Sequence, residues 1–459
     1  MAKFNREKVL RQLKFKRKWR SYSRYVYIAV PCVLCCLLCL YFAYSKFFVS
    51  EEQAVIRTTV GDFIYGDIVI GAYIDGEYSN TIPGKNDGYV VDKVSCDNGA
   101  VGKWNEDDWG LLTTNLSKRT KCNVYFKKNP VSNIIAQLDT SGKCPTMNAD
   151  GSVNVTEIEA TNGYLCKAKD AYGDSYYYRG NVTNNYVEFA GFYWRIVRIN
   201  GDGTVRVIYD GTSAHANGEA SEDRQIGKSA FNSSYNDNAY VGYMYGQTGA
   251  STYATAHANT NNSTIKTYID NWYKTNIVGT TNEQYLADNV FCNDRSISSH
   301  QPRNFNYLGY GTNKTAYHWY WGPWEREYKY NEIVLLTCPQ KNDAFTVSDT
   351  TNGNGALTYP VGLLSTDEIV LAGGWNDDNS GYYLYSGQVW WASSPLGFMD
   401  DSSARVRRVL EDGCAGNWDY LNGSNYVSLN RGVRPVFNLK AEVLAQGSGT
   451  ATDPYRISS

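Results

Sequence analysis

The chain has 459 residues, with 44 Lys plus Arg, 46 Asp plus Glu and only 4 His, so its formal net charge at pH 7 is -2. This length allows two or three domains, and the near-neutral balance argues against a nucleic-acid partner. A hydrophobic fraction of 42% excludes general disorder, while 39 Tyr and 41 Gly favour short strands joined by polar loops over a helical bundle.

The N-terminal segment differs from the rest in charge and hydropathy. Its first 25 residues contain ten Lys or Arg and one acid, Glu7, and no charged residue occurs from Tyr25 to Ser45. About 20 apolar residues suffice to cross a bilayer core as a helix, so this run predicts a transmembrane segment. The positive-inside rule then predicts a cytoplasmic tail over residues 1–24, a signal anchor over residues 25–48 and an extracellular remainder. A cleaved signal peptide is the alternative.

Seven cysteines follow this segment, an odd number for a chain in an oxidising compartment. Pairing sequence neighbours predicts three disulfides, with other pairings left open: Cys96 with Cys122, Cys144 with Cys166, and Cys292 with Cys338. Each closed loop contributes roughly 3 to 4 kcal/mol in the chain-entropy description. Cys414 is then the cysteine left over.

Two segments come next. Strand-like runs separated by turn residues predict a small β-sandwich over residues 52–128, which we interpret as a spacer domain. Residues 129–170 are predicted to form a disulfide-closed linker. Four of its residues match positions of a calcium-loop template, although Thr146 is a poor ligand at the first position. These residues are Asn148, Asp150, Gly151 and Glu157. A simple turn at Asp150 is the alternative, and no other cofactor is expected.

Residues 171–445 are predicted to form the largest domain, followed by a tail over residues 446–459. A hairpin is indicated by the Asn-Gly-Asp-Gly turn that begins at Asn200. A first helix is predicted from the apolar spacing of Ile265 to Tyr273, with Ser263 and Thr264 before it as a capping candidate. A second helix is predicted from Ser365, with Glu368 at capping-box spacing, to Gly373. Strands are predicted over Tyr186–Ile199, Thr204–Tyr209, Gln388–Ala392, Ala404–Leu410 and Val433–Leu439. Helices combined with hairpins predict an α+β fold class.

Several motifs occur together in this domain. They are Tyr193-Trp194-Arg195-Ile196-Val197, Leu364-Ser365-Thr366-Asp367-Glu368, Val389-Trp390-Trp391-Ala392-Ser393-Ser394-Pro395, Ala404-Arg405-Val406 and Arg431-Gly432-Val433-Arg434-Pro435-Val436. Their order resembles the C-type-lectin-like fold, in its formylglycine-generating, sulfatase-modifying-factor branch. More closely, it resembles an uncharacterised bacterial surface-domain family of that architecture. The resemblance implies a fold rather than an activity.

The catalytic branches of that fold use residues that this sequence lacks. Formylglycine-generating enzymes hold copper with a pair of nearby cysteines, whereas the C-terminal region here offers only Cys414. Related iron-dependent enzymes use clustered histidines, and the four histidines here show no ligand spacing: His215, His257, His300 and His318. The sequence therefore predicts no enzymatic activity.

The loop between the strands over Ala404–Leu410 and Val433–Leu439 is rich in Tyr, Trp, Asn and Ser. Aromatic side chains offer rigid contact faces and amides offer adaptable hydrogen bonds, as in antibody loops. The candidate ligand-binding residues are Asn417, Trp418, Asp419, Tyr420, Asn422, Ser424, Asn425, Tyr426, Ser428 and Asn430. The resemblance places ligand binding in this region, and in retroelement-diversified variable proteins of similar fold it is the randomised stretch. A plain solvated loop is the alternative.

Two further stretches carry weaker signals. Trp375-Asn376-Asp377 matches the triplet of calcium-dependent lectins but lies too early in the fold, so a polar loop is favoured. The aromatic stretch from Phe305 to Trp324 is interpreted as packing.

The combined prediction is a single-pass bacterial cell-surface protein that binds an extracellular protein or glycan as a receptor or adhesin. An envelope enzyme and a purely structural envelope protein are the alternatives.

Overall fold

The computed structural model describes Arg11 and Lys14 and then most of the chain beyond residue 52. The described ranges are 53–55, 64–65, 68–85, 87–105, 108–115, 120–155, 162–297, 333–374, 378–399, 401–415 and 425–457. The chain divides into two compact units, residues 1–129 and residues 130–459.

Beyond residue 52, the described part of the first unit consists of two β-sheets. Its strands are β1 (Gln53–Val55), β2 (Ile64–Tyr65), β3 (Ile68–Ile74), β4 (Glu77–Ser79), β5 (Tyr89–Cys96), β6 (Val101–Asn105), β7 (Gly110–Thr114) and β8 (Thr120–Lys128). One sheet has the order β2-β3-β8-β5 with β4 added to β3, and the other has the order β1-β7-β6. Alternate side chains of β8 are buried, and Cys122 and Phe126 share one core with Leu111 of β7.

The second unit is built around a larger antiparallel sheet. Its strands are β9 (Thr146–Met147), β10 (Val153–Asn154), β11 (Tyr164–Asp170), β12 (Gly173–Arg179), β13 (Tyr186–Phe189), β14 (Phe192–Ile199), β15 (Val205–Gly211), β16 (Lys228–Ser229), β17 (Met244–Tyr245), β18 (Asn261–Asn262), β19 (Phe291–Cys292), β20 (Ile333–Val334), β21 (Ala344–Phe345), β22 (Val361–Gly362), β23 (Trp390–Phe398), β24 (Ala404–Val409), β25 (Arg431–Gly432) and β26 (Val436–Leu439). The main sheet has the order β11-β12-β14-β15-β26-β22, and β13 pairs with β14. A second sheet has the order β16-β25-β23-β24.

Beyond residue 52, four α-helices occur in the described residues: α1 (Ser132–Ile135), α2 (Tyr253–Ala256), α3 (Thr264–Asn276) and α4 (Thr366–Ala372). The predicted starts of the two longer helices are confirmed. The Ser263 side chain caps α3, and α4 begins with a capping box in which Ser365 and Glu368 each accept the other's backbone N–H. Gly373 ends α4 with a φ of 114°, a conformation that glycine adopts without a Cβ penalty.

Aromatic side chains join α3 to the main sheet. Trp194 of β14 is fully buried and stacks on Phe437 of β26, with ring centroids 4.6 Å apart. Trp272 of α3 packs against both of these rings. The apolar face of α3, which includes Ile265 and Ile269, is also buried. The core of this unit therefore lies between the sheet and its longest described helix.

The predicted α+β fold class is wrong, because the structure is mostly β-sheet. Strands account for 35% of the structure and helices for 14%. The longest described helix, α3, has 13 residues. Strong capping signals correctly located α3 and α4 but overstated the share of helix. The many two-residue strands are too short to produce a period-two pattern in the sequence.

The predicted single-pass membrane anchor is also contradicted. A spanning helix needs about 20 apolar residues. None of the helices in the described part of the chain is long and apolar enough to cross a membrane. The predicted segment itself, residues 25–48, lies outside the described residues. The membrane localisation with a cytoplasmic N-terminus, and the N-terminal transmembrane helix in the predicted fold class, are corrected on this finding.

Three disulfides occur among the described residues, and they join the same cysteines that neighbour pairing suggests. The pairs are Cys96–Cys122, Cys144–Cys166 and Cys292–Cys338. Cys414 is not in a disulfide and is 1% exposed, so its thiol is shielded from solvent. Disulfides of this kind persist in oxidising compartments.

A buried ionic cluster, centred on Asp210 of β15, connects distant parts of the second unit. One Asp210 oxygen accepts hydrogen bonds from Arg224 Nε and Arg434 Nη2, each at 2.8 Å. Arg195 Nη1 of β14 lies 3.9 Å from the other carboxylate oxygen. All four side chains are fully buried. Burial lowers the pKa of Arg434 to about 10, and the charge of Asp210 opposes that shift.

A second buried cluster connects α4 to the main sheet. Glu368 Oε1 accepts hydrogen bonds from Arg206 Nη1 at 2.7 Å and Arg198 Nε at 3.2 Å. Arg198 also forms an ion pair with Asp170 of β11. Burial by itself would raise the pKa of Glu368, but the two arginines lower it. The residue that caps α4 is therefore also the anion that holds it to β14 and β15.

We predict that Asp210→Asn destabilises the second unit by about 3 to 5 kcal/mol, because three buried guanidinium groups lose their counter-charge. The matched control is Asp174→Asn, which breaks an ion pair with Lys167. The side chain of Asp174 is 44% exposed and that of Lys167 is 35% exposed. Such a surface pair contributes at most about 1 kcal/mol. Hydrogen exchange of β15 and β26 amides in increasing urea measures both losses. Equal losses in the two variants would contradict the prediction.

Candidate ligand-binding site

The structure describes part of the predicted binding loop. Residues 416–424 lie outside the described residues, so six of the ten candidates are not placed: Asn417, Trp418, Asp419, Tyr420, Asn422 and Ser424. The other four follow directly in the chain. Asn425 is buried, Tyr426 and Ser428 are half-buried, and Asn430 is exposed.

Strand β24 positions the segment that begins at Asn425. The Val406 N–H donates to Asn425 O, and the Val427 N–H donates to Ala404 O. On the other side, the Ala404 N–H donates to Tyr235 O at 2.7 Å. The start of β24 therefore brings Tyr235 and the residue after Asn425 together, although the sequence separates them widely.

Two tyrosine rings stack at this point. The ring centroids of Tyr235 and Tyr426 are 5.8 Å apart and their planes differ by 10°. The Arg405 guanidinium lies 4.8 Å from the Tyr426 ring centroid, within cation–π range. Tyr235 is 44% exposed, so one ring of the stack faces solvent. The stack is flat, apolar on its face and charged at its edge.

Asp401 completes the arrangement at its polar edge. Its carboxylate accepts hydrogen bonds from the Tyr426 hydroxyl, from Ser403 Oγ and from Arg405 Nη2, the last at 2.7 Å. Partial burial would raise the pKa of Asp401, but these hydrogen bonds and the arginine charge lower it. The same bond to Asp401 raises the pKa of Tyr426. At neutral pH the site therefore carries a carboxylate, a guanidinium and a protonated phenol.

We call Tyr235, Tyr426, Arg405 and Asp401 the tyrosine platform. Stacked aromatic rings provide a rigid contact surface with little conformational entropy to lose. The neighbouring charges provide directional hydrogen bonds. Asn425 contributes differently, because its Oδ1 accepts a hydrogen bond from Arg408 Nε at 2.7 Å and its side chain is 6% exposed. It holds the segment in place from beneath.

Sequence analysis did not identify three of the four platform residues as site residues. Tyr235 lies in the segment between β16 and β17, and its contact with Tyr426 depends on backbone pairing in the folded chain. Arg405 belongs to one of the fold motifs, which assigns it no binding role, and no motif includes Asp401. The run Asp401-Ser402-Ser403 is a local turn signal at the polar edge of the platform. Ser402 in this turn has a positive φ of 60°.

Other sequence candidates have local structural roles where the structure describes them. Asp150 Oδ1 accepts hydrogen bonds from the backbone and side chain of Ser152 in the β9–β10 turn, and Gly151 has a φ of 87°. Glu157 of the calcium template and Trp375, Asn376 and Asp377 lie outside the described residues, as does the aromatic stretch of residues 305–324. No group of three His, Cys, Asp or Glu that could hold a metal ion is found among the described residues.

The two described histidines have separate surroundings. His215 lies between Glu219 and Asp223, with Nδ1 2.8 Å from Glu219 Oε1 and Nε2 3.0 Å from Asp223 Oδ2. The hydrogen bond from His215 lowers the pKa of Glu219. His257 is fully buried against the ring of Tyr253. His300 and His318 lie outside the described residues.

Comparison with known protein families, with curated proteins and with solved structures finds no match to this chain. The predicted resemblance to a C-type-lectin-like family stays untested by these comparisons. The functional argument therefore depends on the geometry of the described residues.

We predict that Asp401→Asn lowers the melting temperature at pH 7 and that this difference disappears in acid. The pKa of Asp401 is lower in the folded than in the unfolded chain, so its contribution is present above the unfolded value of about 3.9. That contribution is lost as the pH falls through the lower folded pKa. We expect at most about 1 kcal/mol, because the carboxylate is partly solvated.

Melting curves of the native chain and the variant between pH 7 and pH 3 test this prediction. Tyr426→Phe, which removes only the hydroxyl that donates to Asp401, should show a smaller loss with the same pH dependence. A difference between native chain and Asp401→Asn that stays constant over this range would contradict it.

Proposed function

We propose that this protein is a ligand-binding protein whose tyrosine platform recognises an extracellular protein or glycan. The observation that carries the proposal is the exposed, stacked Tyr235 ring beside a fixed carboxylate and guanidinium. Aromatic and Arg side chains dominate the energetics of many recognition surfaces. The three disulfides agree with a ligand encountered in an oxidising compartment.

The exposure of Tyr235 supports binding rather than packing. Among the described residues of the second unit, it is the one exposed aromatic side chain. Its neighbour Tyr426 is already fixed by Asp401 and Arg405, so the stack is formed before any ligand arrives. A preformed surface loses little side-chain entropy on binding.

The adjacent sequence also supports the proposal. Tyr426 lies two residues after the stretch of residues 416–424, whose composition of Trp, Tyr, Asn and Ser is typical of recognition loops. We therefore include this stretch in the proposed binding region on grounds of sequence alone. The platform supplies the part of that region for which geometry is described.

Binding of the full chain to arrays of glycans and of cell-surface proteins tests the proposal, and the arrays separate the two ligand classes. Tyr235→Ala should weaken binding of at least one ligand found by about tenfold or more, as for a hot-spot aromatic residue. The matched control is Tyr78→Ala in the first unit, where the tyrosine is 48% exposed. Repeating the measurement with a chelator tests for a bound calcium ion.

The melting temperature distinguishes recognition from packing. Tyr235→Ala should change it little, because the exposed ring has few contacts to lose. Unchanged binding of every ligand found in Tyr235→Ala, or an equal loss in Tyr78→Ala, would reject the platform as the binding site. A large drop in melting temperature with unchanged affinity would show that the stack serves stability.

A further inference from the structure

A concave site, separate from the tyrosine platform, is lined by residues near the start of the second unit. It is a cavity of about 270 Å³, close to the lower end of roughly 300 Å³ for small-molecule sites. Its walls come from three segments: residues 137–139, residues 163–165 at the start of β11, and the loop of residues 181–184. Tyr178 of β12 also lines it. We call it the amide cleft, after the side chains of Gln137, Asn181 and Asn184 that line it.

The three walls are held in fixed positions. Leu138 pairs with Leu165 in a parallel bridge, and the Asp139 N–H donates to Leu165 O at 2.9 Å. The carbonyl of Val182 accepts hydrogen bonds from the buried Arg195 and from Asn217, at 2.7 and 2.8 Å. The disulfide between Cys144 and Cys166 closes the chain next to the first two walls. The cleft is therefore preorganised.

A close backbone contact sets the width of the cleft. A Cβ atom on Gly163 would lie only 2.5 Å from the carbonyl oxygen of Asn181. Only a glycine allows these two walls to approach this closely. The contact keeps the loop of residues 181–184 against the start of β11 and defines one end of the cavity.

The lining offers neutral hydrogen-bonding groups in both directions. Asn184 Nδ2 donates to Gln137 Oε1 at 2.7 Å, and Asn181 Oδ1 accepts from Asn217 Nδ2 at 2.7 Å. A side-chain amide has two N–H groups and two lone pairs, so each of these amides retains capacity for a ligand. Tyr164 contributes a half-buried ring for contact with C–H groups. Amides and an aromatic ring together match the hydroxyl groups and apolar faces of a sugar ring.

The charge of the cleft disfavours anionic ligands. Its one charged lining residue, Asp139, accepts four hydrogen bonds, from the N–H groups of Ser141, Lys143 and Cys144 and from Ser141 Oγ. These bonds occupy all the lone-pair sites of the carboxylate, which leaves none for a cation. None of the described lining residues is Lys or Arg. A neutral ligand is therefore favoured over a phosphate, a carboxylate or a metal ion.

We propose that the amide cleft binds a neutral saccharide ring through Gln137, Asn181 and Asn184, with Tyr164 packing on the ring face. This site is separate from the tyrosine platform and does not depend on the function proposed for it. Its ligand is a small hydroxylated ring rather than a macromolecular surface. Occupation of the cleft would connect β11, β12 and the segment of residues 137–139 through one molecule.

Saturation-transfer NMR and calorimetry on the full chain test this proposal with defined probes: glucose, galactose, mannose, N-acetylglucosamine and their disaccharides. We expect saturable millimolar or tighter binding of at least one neutral sugar and weaker binding of its phosphate ester. Thr183→Trp fills the cleft from an exposed lining position and should abolish binding. Thr281→Trp, at an exposed threonine outside the cleft, is the matched control.

Two further variants keep the result interpretable. Asn184→Ala should weaken sugar binding by about tenfold, since one neutral hydrogen bond with a desolvated partner contributes about 1.4 kcal/mol. It serves as the test if Thr183→Trp lowers the melting temperature. Tyr235→Ala should leave sugar binding in the cleft unchanged, which separates this site from the platform.

Three outcomes would contradict the proposal. The folded native chain could bind none of the neutral sugars, sugar binding could survive both Thr183→Trp and Asn184→Ala, or the phosphate ester could bind more tightly than the neutral sugar. Each of these results would reject a neutral saccharide site in the amide cleft.

Discussion

The contact between Asp210 and its three arginines is the interaction on which the second unit most depends. A single buried carboxylate meets guanidinium groups from β14, from the turn before β16 and from the segment before β26. Removing charges from water is costly, so this arrangement is stable only while each arginine also donates to backbone carbonyls. Arg434 does so to Tyr209 and Leu384, and Arg195 does so to Val182. The cluster therefore fixes chain segments as well as charges.

One of those segments connects the cluster to the amide cleft. Arg195 reaches from Asp210 to the carbonyl of Val182, within the loop that forms one wall of the cleft. Its guanidinium also lies 3.8 Å from the ring centroid of Tyr186, which adds a cation–π contact on its other face. A change in the charge balance at Asp210 would therefore move a wall of the proposed saccharide site. Stability of the sheet and shape of the cleft depend on the same side chain.

Sequence analysis succeeded where the signal is local and failed where it depends on the folded chain. The caps of α3 and α4 and the turn after Ile199 are encoded within a few residues, and the structure contains all three. The ionic partners could not be found in this way, because Asp210 and Arg434 are 224 positions apart. The capping box shows the limit clearly. Its spacing identified Glu368 as a cap, but nothing near it indicates that Arg198 and Arg206 neutralise the same carboxylate.

The same limit applies to the binding loop, where composition alone does not separate recognition from support. Asn425 and Tyr426 are neighbours in a stretch that is polar and aromatic throughout, and the sequence assigns them the same role. In the structure, the buried Asn425 side chain accepts a hydrogen bond from Arg408, whereas the Tyr426 ring stacks on the exposed ring of Tyr235. Alternation along an extended segment sends adjacent side chains to opposite sides. Only the side that faces solvent can bind a partner, and β24 decides which side that is.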